Sequence, residues 1–359
     1  MENIKIGLIT KDKDYGKALG LALVDVYRNF TVSLFKSVPL QNEQDRMDLV
    51  LTDNAENIKI KGKTIQLVEK QSLIYKDYEE HVYKLYKYSN VRNLAGELLF
   101  IYAALTGRKA VPMRNTNARI VVFGAVEGGI GCTSAAMAFA QEMARFQGKK
   151  VIYITMEEIE STMEYMDKGI TGKNISEYLY YLFNSETDQQ FPFLESFTVI
   201  DKYGVNAFLP SPGRNLLNSL NKEEMQFFIS AVLDTGGFDI MVIDLSNNLG
   251  QPAMTCYEMA NNICFITKKN SLVYKEDRIL DYFMFLKGEK ILDRMGRIVT
   301  YCNDEQESDM TETIRTVCCL PEDPESFSVC NEIREIKSDG AYGNRIKRLA
   351  EAVIKNTVC

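Results

Sequence analysis

The stretch that decides the fold is residues 120–150, which read IVVFGAVEGGIGCTSAAMAFAQEMARFQGKK. An apolar strand, a glycine-rich turn and an alanine-rich helix follow one another without a break, and Gly148 suits the end of the helix. Gly128, Gly129 and Gly131 can adopt positive φ angles and let backbone N–H groups approach a ligand closely. Because a helix N-terminus also attracts anions, the stretch predicts a phosphate-binding loop.

The residues after the glycines indicate which parts of a P-loop are kept. In a complete P-loop, a lysine reaches the β- and γ-phosphates and the following hydroxyl binds Mg²⁺. Here Cys132 takes the lysine position, Thr133 is kept as the magnesium ligand, and Ser134 adds a hydroxyl near the α-phosphate. The loop therefore predicts nucleotide binding without the charged catalytic group. The alternative is a tight strand-to-helix turn that binds nothing.

A second signal lies in residues 238–250, FDIMVIDLSNNLG. Asp244 stands at the carboxyl end of an apolar strand, where the aspartate of a P-loop ATPase holds Mg²⁺, here through water. An aspartate that ends a buried strand can also serve only the turn. Its occurrence together with a glycine loop favours the magnesium interpretation.

Apolar strand patterns alternate with helical segments along the whole chain. The pattern predicts a flavodoxin-like α/β domain over residues 1–107, a linker over 108–118, and a doubly wound, mainly parallel α/β domain over 119–359. The predicted strands are 5–10, 31–35, 48–52, 64–68 and 82–85 in the first domain, and 120–123, 151–155, 197–200, 240–244, 263–267 and 298–302 in the second.

Composition excludes several classes of function. The formal charge of −7 argues against nonspecific binding to nucleic acid, which needs clustered lysine and arginine. The eight cysteines form no CxxC pair and predict reduced, mostly buried thiols rather than a zinc site. The sequence enters a strand directly and contains no apolar run long enough to span a bilayer, so we expect a cytoplasmic protein.

These motifs resemble the MinD/ParA ATPases, whose deviant loop reads KGGxGKT. EGGIGCT (residues 127–133) resembles that loop, VIYITMEE (151–158) its second strand, and IVTYCN (298–303) the strand that binds adenine. The segment 319–336 resembles the family's LPxDP segment beside the base. The resemblance implies ATP and Mg²⁺ as ligands. The nucleotide-binding residues that it implies are Glu127, Gly128, Gly129, Ile130, Gly131, Cys132, Thr133, Ser134, Asn303 and Pro321, with Thr133 and Asp244 at the metal.

Departures from the family pattern bear on hydrolysis. Glu127 stands where the family has the lysine that crosses a dimer interface, and Thr155 replaces one acid of a DxD motif, leaving Glu157. Loss of positive charge at the β- and γ-phosphates removes roughly 3 kcal/mol or more of transition-state stabilisation. We therefore expect ATP hydrolysis to be weak or absent.

The first domain resembles a response-regulator receiver. DLVLTD (48–53) places Asp53 at the phosphoacceptor position, and Lys87 matches the family's lysine. The acidic pair that holds magnesium is incomplete, because that position reads Thr10, Lys11, Asp12, which favours a degenerate receiver over a phosphorylatable one.

A degenerate receiver before a degenerate MinD-like ATPase resembles the TadZ/CpaE family. The resemblance implies a nucleotide-bound homodimer that helps to localise and assemble the tight-adherence pilus secretion machinery, at a cell pole or the inner face of the membrane. Two alternatives remain: an active positioning ATPase that cycles between monomer and dimer, and an iron–sulfur or electron-carrying relative that would use Cys256 or Cys264.

The C-terminal stretch 344–358 combines an apolar stripe with basic residues. Such a helix can lie on an anionic membrane or pack against its own sheet. Because the stripe is short and lacks large aromatic anchors, we expect a packed helix and at most peripheral contact with membranes.

Overall fold

The computed structural model describes residues 3–27, 29–53, 64–69, 76–77, 82–88, 91–106, 118–166, 172–184, 194, 197–269, 273–302 and 313–355. Two compact units make up the chain: residues 1–111 with 180–197, and residues 112–179 with 198–359. Of the predicted linker, residues 108–117 lie outside the described part.

The first unit is an α/β structure. In order along the chain its elements are β1 (Ile4–Ile9), α1 (Lys13–Val26), β2 (Phe30–Phe35), α2 (Gln41–Gln44), β3 (Leu49–Thr52), β4 (Thr64–Val68), β5 (Lys76–Asp77), β6 (Val82–Tyr86) and α3 (Val91–Thr106). The strand order is β2-β1-β3-β4-β6-β5, with every pairing parallel except β5 with β6. The five parallel strands have the order of flavodoxin-like folds.

The second unit contains the loop of residues 127–131. Its elements are β7 (Arg119–Ala125), α4 (Cys132–Arg145), β8 (Val151–Thr155), the start of α5 (Ile175–Phe183), whose residues from Tyr180 onward count with the first unit, β9 (Thr198–Ile200), β10 (Val205–Phe208), α6 (Lys222–Gly236), β11 (Ile240–Ser246), α7 (Gln251–Met259), β12 (Asn262–Lys268), α8 (Val273–Lys287), β13 (Met295–Thr300), β14 (Thr316–Leu320), β15 (Phe327–Cys330), β16 (Ile333–Ile336) and α9 (Ala341–Ile354).

The main sheet of this unit has the order β14-β13-β12-β7-β11-β8-β10-β9. Every pairing is parallel except β9 with β10. Because parallel strands share their carboxyl edge, the residues that follow β7, β11 and β8 come together there. The predicted mainly parallel α/β class is confirmed, and the sheet places the glycine loop beside Asp244.

Some predicted elements differ from the observed ones. The strand predicted at 298–302 is β13, which begins at Met295 and ends at Thr300. The first residues of β13 were not predicted, because the charged residue Arg297 is unusual in a buried strand. The Arg297 side chain is nevertheless buried, because Nε donates to Glu276 Oε1 at 2.7 Å. The strands β10 and β14 and the antiparallel hairpin β15–β16 were not predicted.

The C-terminal helix packs into the core. Ile346, Leu349 and Val353 are buried in the same apolar cluster as the side chains of β7 and α4, whereas Ile354 is 37% exposed. The predicted packed helix is confirmed. Among the described residues, no helix is both long enough and apolar enough to cross a membrane.

Candidate functional site

The glycine loop has the backbone of an anion cradle. Gly129 and Gly131 have φ angles of 75° and 90°, in the left-handed region that favours glycine. The space beside Gly128 and Gly129 is open, since a Cβ built at either position would meet no atom within 4 Å. Helix α4 begins directly after Gly131 and has no side-chain cap. Its first N–H groups therefore need an acceptor from outside the helix.

The loop opens into a cleft of about 860 Å³. Three segments line it: the loop and the start of α4, the residues after β8, and the end of β11 with the residues that follow it. Tyr301, directly after β13, and Arg334 on β16 complete the lining. The lining residues are Glu127, Gly128, Gly129, Gly131, Cys132, Thr133, Ser134, Met156, Glu157, Glu158, Ser161, Glu164, Tyr165, Leu245, Ser246, Asn247, Asn248, Tyr301 and Arg334. This volume is sufficient for a nucleotide.

Cys132, at the lysine position, points to Asp244 rather than to a ligand. Its Sγ–H donates to Asp244 Oδ1 at 3.4 Å, and the Tyr153 hydroxyl donates to Oδ2 at 3.0 Å. The backbone N–H of Ser246 also donates to Oδ1, at 2.9 Å. Asp244 is fully buried, and burial raises the pKa of its carboxyl group. Burial likewise raises the pKa of the Cys132 thiol, so this position supplies no charge to the cleft.

Thr133 joins the acids of the two neighbouring strands. Its hydroxyl donates to Glu157 Oε1 at 3.2 Å, and its proximity to Asp244 counteracts part of the effect of burial on the pKa of Asp244. The Ser161 hydroxyl and N–H hold Glu157 Oε2 at 2.5 and 3.0 Å. A hydroxyl and two carboxylates are the hard oxygen ligands that Mg²⁺ prefers.

These residues fit a magnesium ion that is completed by water and phosphate. Mg²⁺ in nucleotide sites is commonly held by one or two carboxylates, with water and substrate phosphates as further ligands. No group of three or more histidine, cysteine, aspartate or glutamate residues able to hold a metal exists in the described part of the chain. The protein alone therefore offers an incomplete metal site.

The cleft is acidic. Glu127, Glu157, Glu158 and Glu164 line it, and among its lining residues Arg334 carries the one positive side chain. Arg334 Nε lies 2.5 Å from Glu164 Oε2. Sequence reasoning missed Arg334, since it belongs to a short hairpin strand and no local motif marks it.

Comparison with solved structures shows which proteins have a similar fold. The chain is similar to a ParA family ATPase from Chlorobium tepidum TLS, with 12% identity and a TM-score of 0.50, over 65% of this chain and 98% of the other. It is also similar to MinD in the MinC:MinD cell division protein complex of Aquifex aeolicus, with 14% identity and a TM-score of 0.50, over 66% of this chain and 96% of that chain. No family model and no curated protein matches the sequence. About two thirds of the chain has the fold of these MinD/ParA structures.

Within this MinD/ParA fold the predicted nucleotide-binding residues have different positions. The loop glycines, Glu127, Cys132, Thr133 and Ser134 line the cleft, whereas the Ile130 side chain is buried in the core. Pro321 follows β14 and does not line the cleft. Asn303 lies outside the described residues. Of the predicted metal ligands, Thr133 and Asp244 lie near each other, and the Thr133 hydroxyl is hydrogen-bonded to Glu157.

The first unit has a polar cluster of its own at the carboxyl edge of its sheet. Asp53 Oδ2 accepts hydrogen bonds from the Thr10 hydroxyl and from Lys87 Nζ, each at 2.9 Å. Asp12 caps α1 by accepting from the N–H groups of Asp14 and Tyr15. The predicted phosphoacceptor is thus hydrogen-bonded to Lys87, and Asp12 caps helix α1.

Proposed function

We propose that this chain is a nucleotide-dependent scaffold that binds ATP with Mg²⁺ in the cleft and hydrolyses it slowly or not at all. The observation that carries the proposal is the loop at the start of α4, where two left-handed glycines leave open space before an uncapped helix. Phosphate oxygens are suitable acceptors for these N–H groups. Thr133 and Glu157 would hold the magnesium ion, with Asp244 behind them.

Slow hydrolysis follows from the charges near the loop. A P-loop ATPase stabilises the charge that develops at the β- and γ-phosphates with a lysine. Here the corresponding side chain is a buried thiol that donates to Asp244, and Glu127 adds a negative charge at the start of the loop. Binding is less affected, because backbone N–H groups and magnesium remain available.

The acidic lining makes magnesium a requirement for binding. Four glutamates line the cleft, so a free triphosphate would meet repulsion at close range. Mg²⁺ neutralises part of the phosphate charge and accepts the protein's oxygen ligands. We therefore expect the magnesium complex of ATP, rather than the free nucleotide, to be the ligand.

The cellular role that we propose is placement of the tight-adherence pilus secretion machinery, at a cell pole or at the inner face of the membrane. Its basis is the sequence resemblance to the TadZ/CpaE family, together with the fold. In this account ATP favours a homodimer, and the dimer binds pilus components rather than nucleic acid. The Aquifex aeolicus MinD of similar fold was solved in a complex with MinC, so this fold can carry a protein partner.

Calorimetry on a matched pair of glycine variants tests the proposal. Gly129 and Gly288 have nearly equal φ angles, 75° and 74°, and open space beside them, but Gly129 lines the cleft and Gly288 does not. Gly129→Ala and Gly288→Ala each place a side chain at a positive φ angle, so the folding of both variants is checked first by thermal unfolding. We expect Mg·ATP binding to the wild type and to Gly288→Ala, and binding at least about tenfold weaker, or about 1.4 kcal/mol, in Gly129→Ala.

Three results would count against the proposal. Absence of Mg·ATP binding to the folded wild type would exclude nucleotide as the ligand. Equal affinities of the two variants would place the nucleotide elsewhere. Sustained release of phosphate by the wild type would favour the active positioning ATPase instead.

A further inference from the structure

Arg334 is the positive side chain of an otherwise acidic cleft. It lies on β16 of the hairpin β15–β16, remote in sequence from the glycine loop, yet lines the same cleft as Gly128 and Ser134. In this structure its guanidinium forms an ion pair with Glu164 at 2.5 Å. The two side chains are 58% and 48% exposed, and exposed ion pairs contribute only about 0–1 kcal/mol. An anionic ligand can therefore compete with Glu164 for Arg334.

Tyr165 lies in the same cleft as Arg334 and the loop. It lines the cleft together with Arg334 and with Ser134, which belongs to the first turn of α4. Burial raises the pKa of Tyr165, while the positive charge of Arg334 acts in the opposite direction. This interaction agrees with the position of both side chains in the lining of one cleft.

We propose that Arg334 supplies the positive charge for the phosphate chain that Cys132 and Glu127 no longer provide, by leaving Glu164 when a nucleotide enters. This inference rests on the proposed nucleotide binding and adds the residue that holds the phosphates. Guanidinium suits the role, because its planar N–H groups can make two parallel hydrogen bonds to phosphate oxygens. Arg334 can exchange Glu164 for a phosphate without moving a charge into the core, because both side chains of the ion pair lie at the surface of the cleft.

Arg214 offers a matched control. It forms an ion pair with Glu158, another cleft-lining glutamate, and the two side chains are 64% and 56% exposed. Arg214 itself does not line the cleft. Arg214→Ala and Arg334→Ala each remove one positive charge and release one glutamate at the cleft. A difference between these variants therefore reports direct contact with the ligand rather than a general change in charge.

The experiment measures Mg·ATP and Mg·ADP affinity by calorimetry for the full chain and its variants, each checked for folding by thermal unfolding. We expect Arg334→Ala to weaken both nucleotides by about tenfold or more, a loss of about 1.4 kcal/mol, and Arg214→Ala to change them by less than about threefold. Arg334→Lys should lie between wild type and Arg334→Ala, because it keeps the charge and loses the paired hydrogen bonds. Glu164→Gln should tighten binding, and this gain should be lost in the Arg334→Ala background.

The outcomes separate this inference from the proposed function. If the wild type binds Mg·ATP and Arg334→Ala binds it as tightly as Arg214→Ala does, the role of Arg334 is wrong and nucleotide binding stands. The same conclusion follows if Glu164→Gln tightens binding equally with and without Arg334. If the folded wild type binds neither nucleotide, both the proposed function and the role of Arg334 are overturned.

Discussion

Asp244 is held by hydrogen bonds on both carboxyl oxygens and has no exposed surface. Removing the Tyr153 hydroxyl leaves Oδ2 without that donor, and a buried polar atom that loses its partner costs about 1–3 kcal/mol. We expect Tyr153→Phe to lower the free energy of unfolding by this amount in urea denaturation. Tyr274→Phe, at a side chain that is 75% exposed, should change it by less than about 0.5 kcal/mol. Equal effects would contradict the assigned hydrogen bond.

Glu160 predicts a pH dependence of stability. Burial raises its pKa from 4.5 to about 7, with a further contribution from Glu157, while the Ser211 N–H opposes the shift. The unfolded chain therefore ionises at lower pH than the folded chain, so Glu160 lowers stability as pH rises from about 4.5 to about 7.

The test compares Glu160→Gln with wild type in urea at pH 5 and pH 8. Glutamine can still accept from Ser211 and does not ionise. The stability of the variant relative to wild type should rise by about 1 kcal/mol between the two pH values, a figure reduced for partial solvent exposure. Glu223→Gln, on the exposed surface of α6, is the control and should show the same difference at both pH values. A Glu160→Gln difference that does not change with pH would contradict the assignment.

For the first sheet, we propose that its carboxyl edge does not accept a phosphate, because the acidic pair that would hold Mg²⁺ is incomplete. Lys87 and Thr10 both donate to Asp53 Oδ2, and Asp12 is engaged at the N-terminus of α1. We expect acetyl phosphate with Mg²⁺ to leave the intact mass unchanged. A stable gain of one phosphate that disappears in Asp53→Asn would show that the edge still works as a receiver site.

Helix α9 provides a second test at this scale. Leu349 is fully buried in the core cluster, and Leu→Ala in such positions costs about 2–5 kcal/mol. We expect Leu349→Ala to lose stability in this range, and Ile354→Ala, at a partly exposed position, to lose less than about 1 kcal/mol. If wild type sediments with anionic vesicles and Leu349→Ala alone abolishes this while remaining stable, the helix serves a membrane instead.

The sequence predicted those elements whose residues show a clear local pattern. The strand 151–155 and the loop after β7 were placed correctly, because an unbroken apolar run and clustered glycines have few structural alternatives. Strand β15 is exposed along its whole length and shows no burial pattern, so it gave no signal. Arg334 and Tyr153 were missed for a related reason, since their roles depend on contacts with Glu164 and Asp244 that no sequence spacing encodes.

For the whole molecule, the glycine loop predicted from the sequence and the Cys132–Asp244 hydrogen bond seen in the structure support the same proposal. In the proposed function, the loop and the residues around Thr133 hold phosphate and Mg²⁺, whereas Cys132 donates a hydrogen bond to Asp244 and provides no charge for catalysis. We therefore expect binding without turnover, with the bound nucleotide acting as a structural ligand.

The ratio of ATP to ADP in the isolated complex tests whether the protein binds ATP without hydrolysing it. The full chain is mixed with stoichiometric Mg·ATP, unbound nucleotide is removed by rapid gel filtration, and the protein fraction is acid-quenched over several hours. Ion-exchange chromatography then quantifies ATP and ADP. We expect ATP to elute with the protein and to remain ATP throughout. Protein that elutes without nucleotide, or bound ATP that converts steadily to ADP, would contradict it.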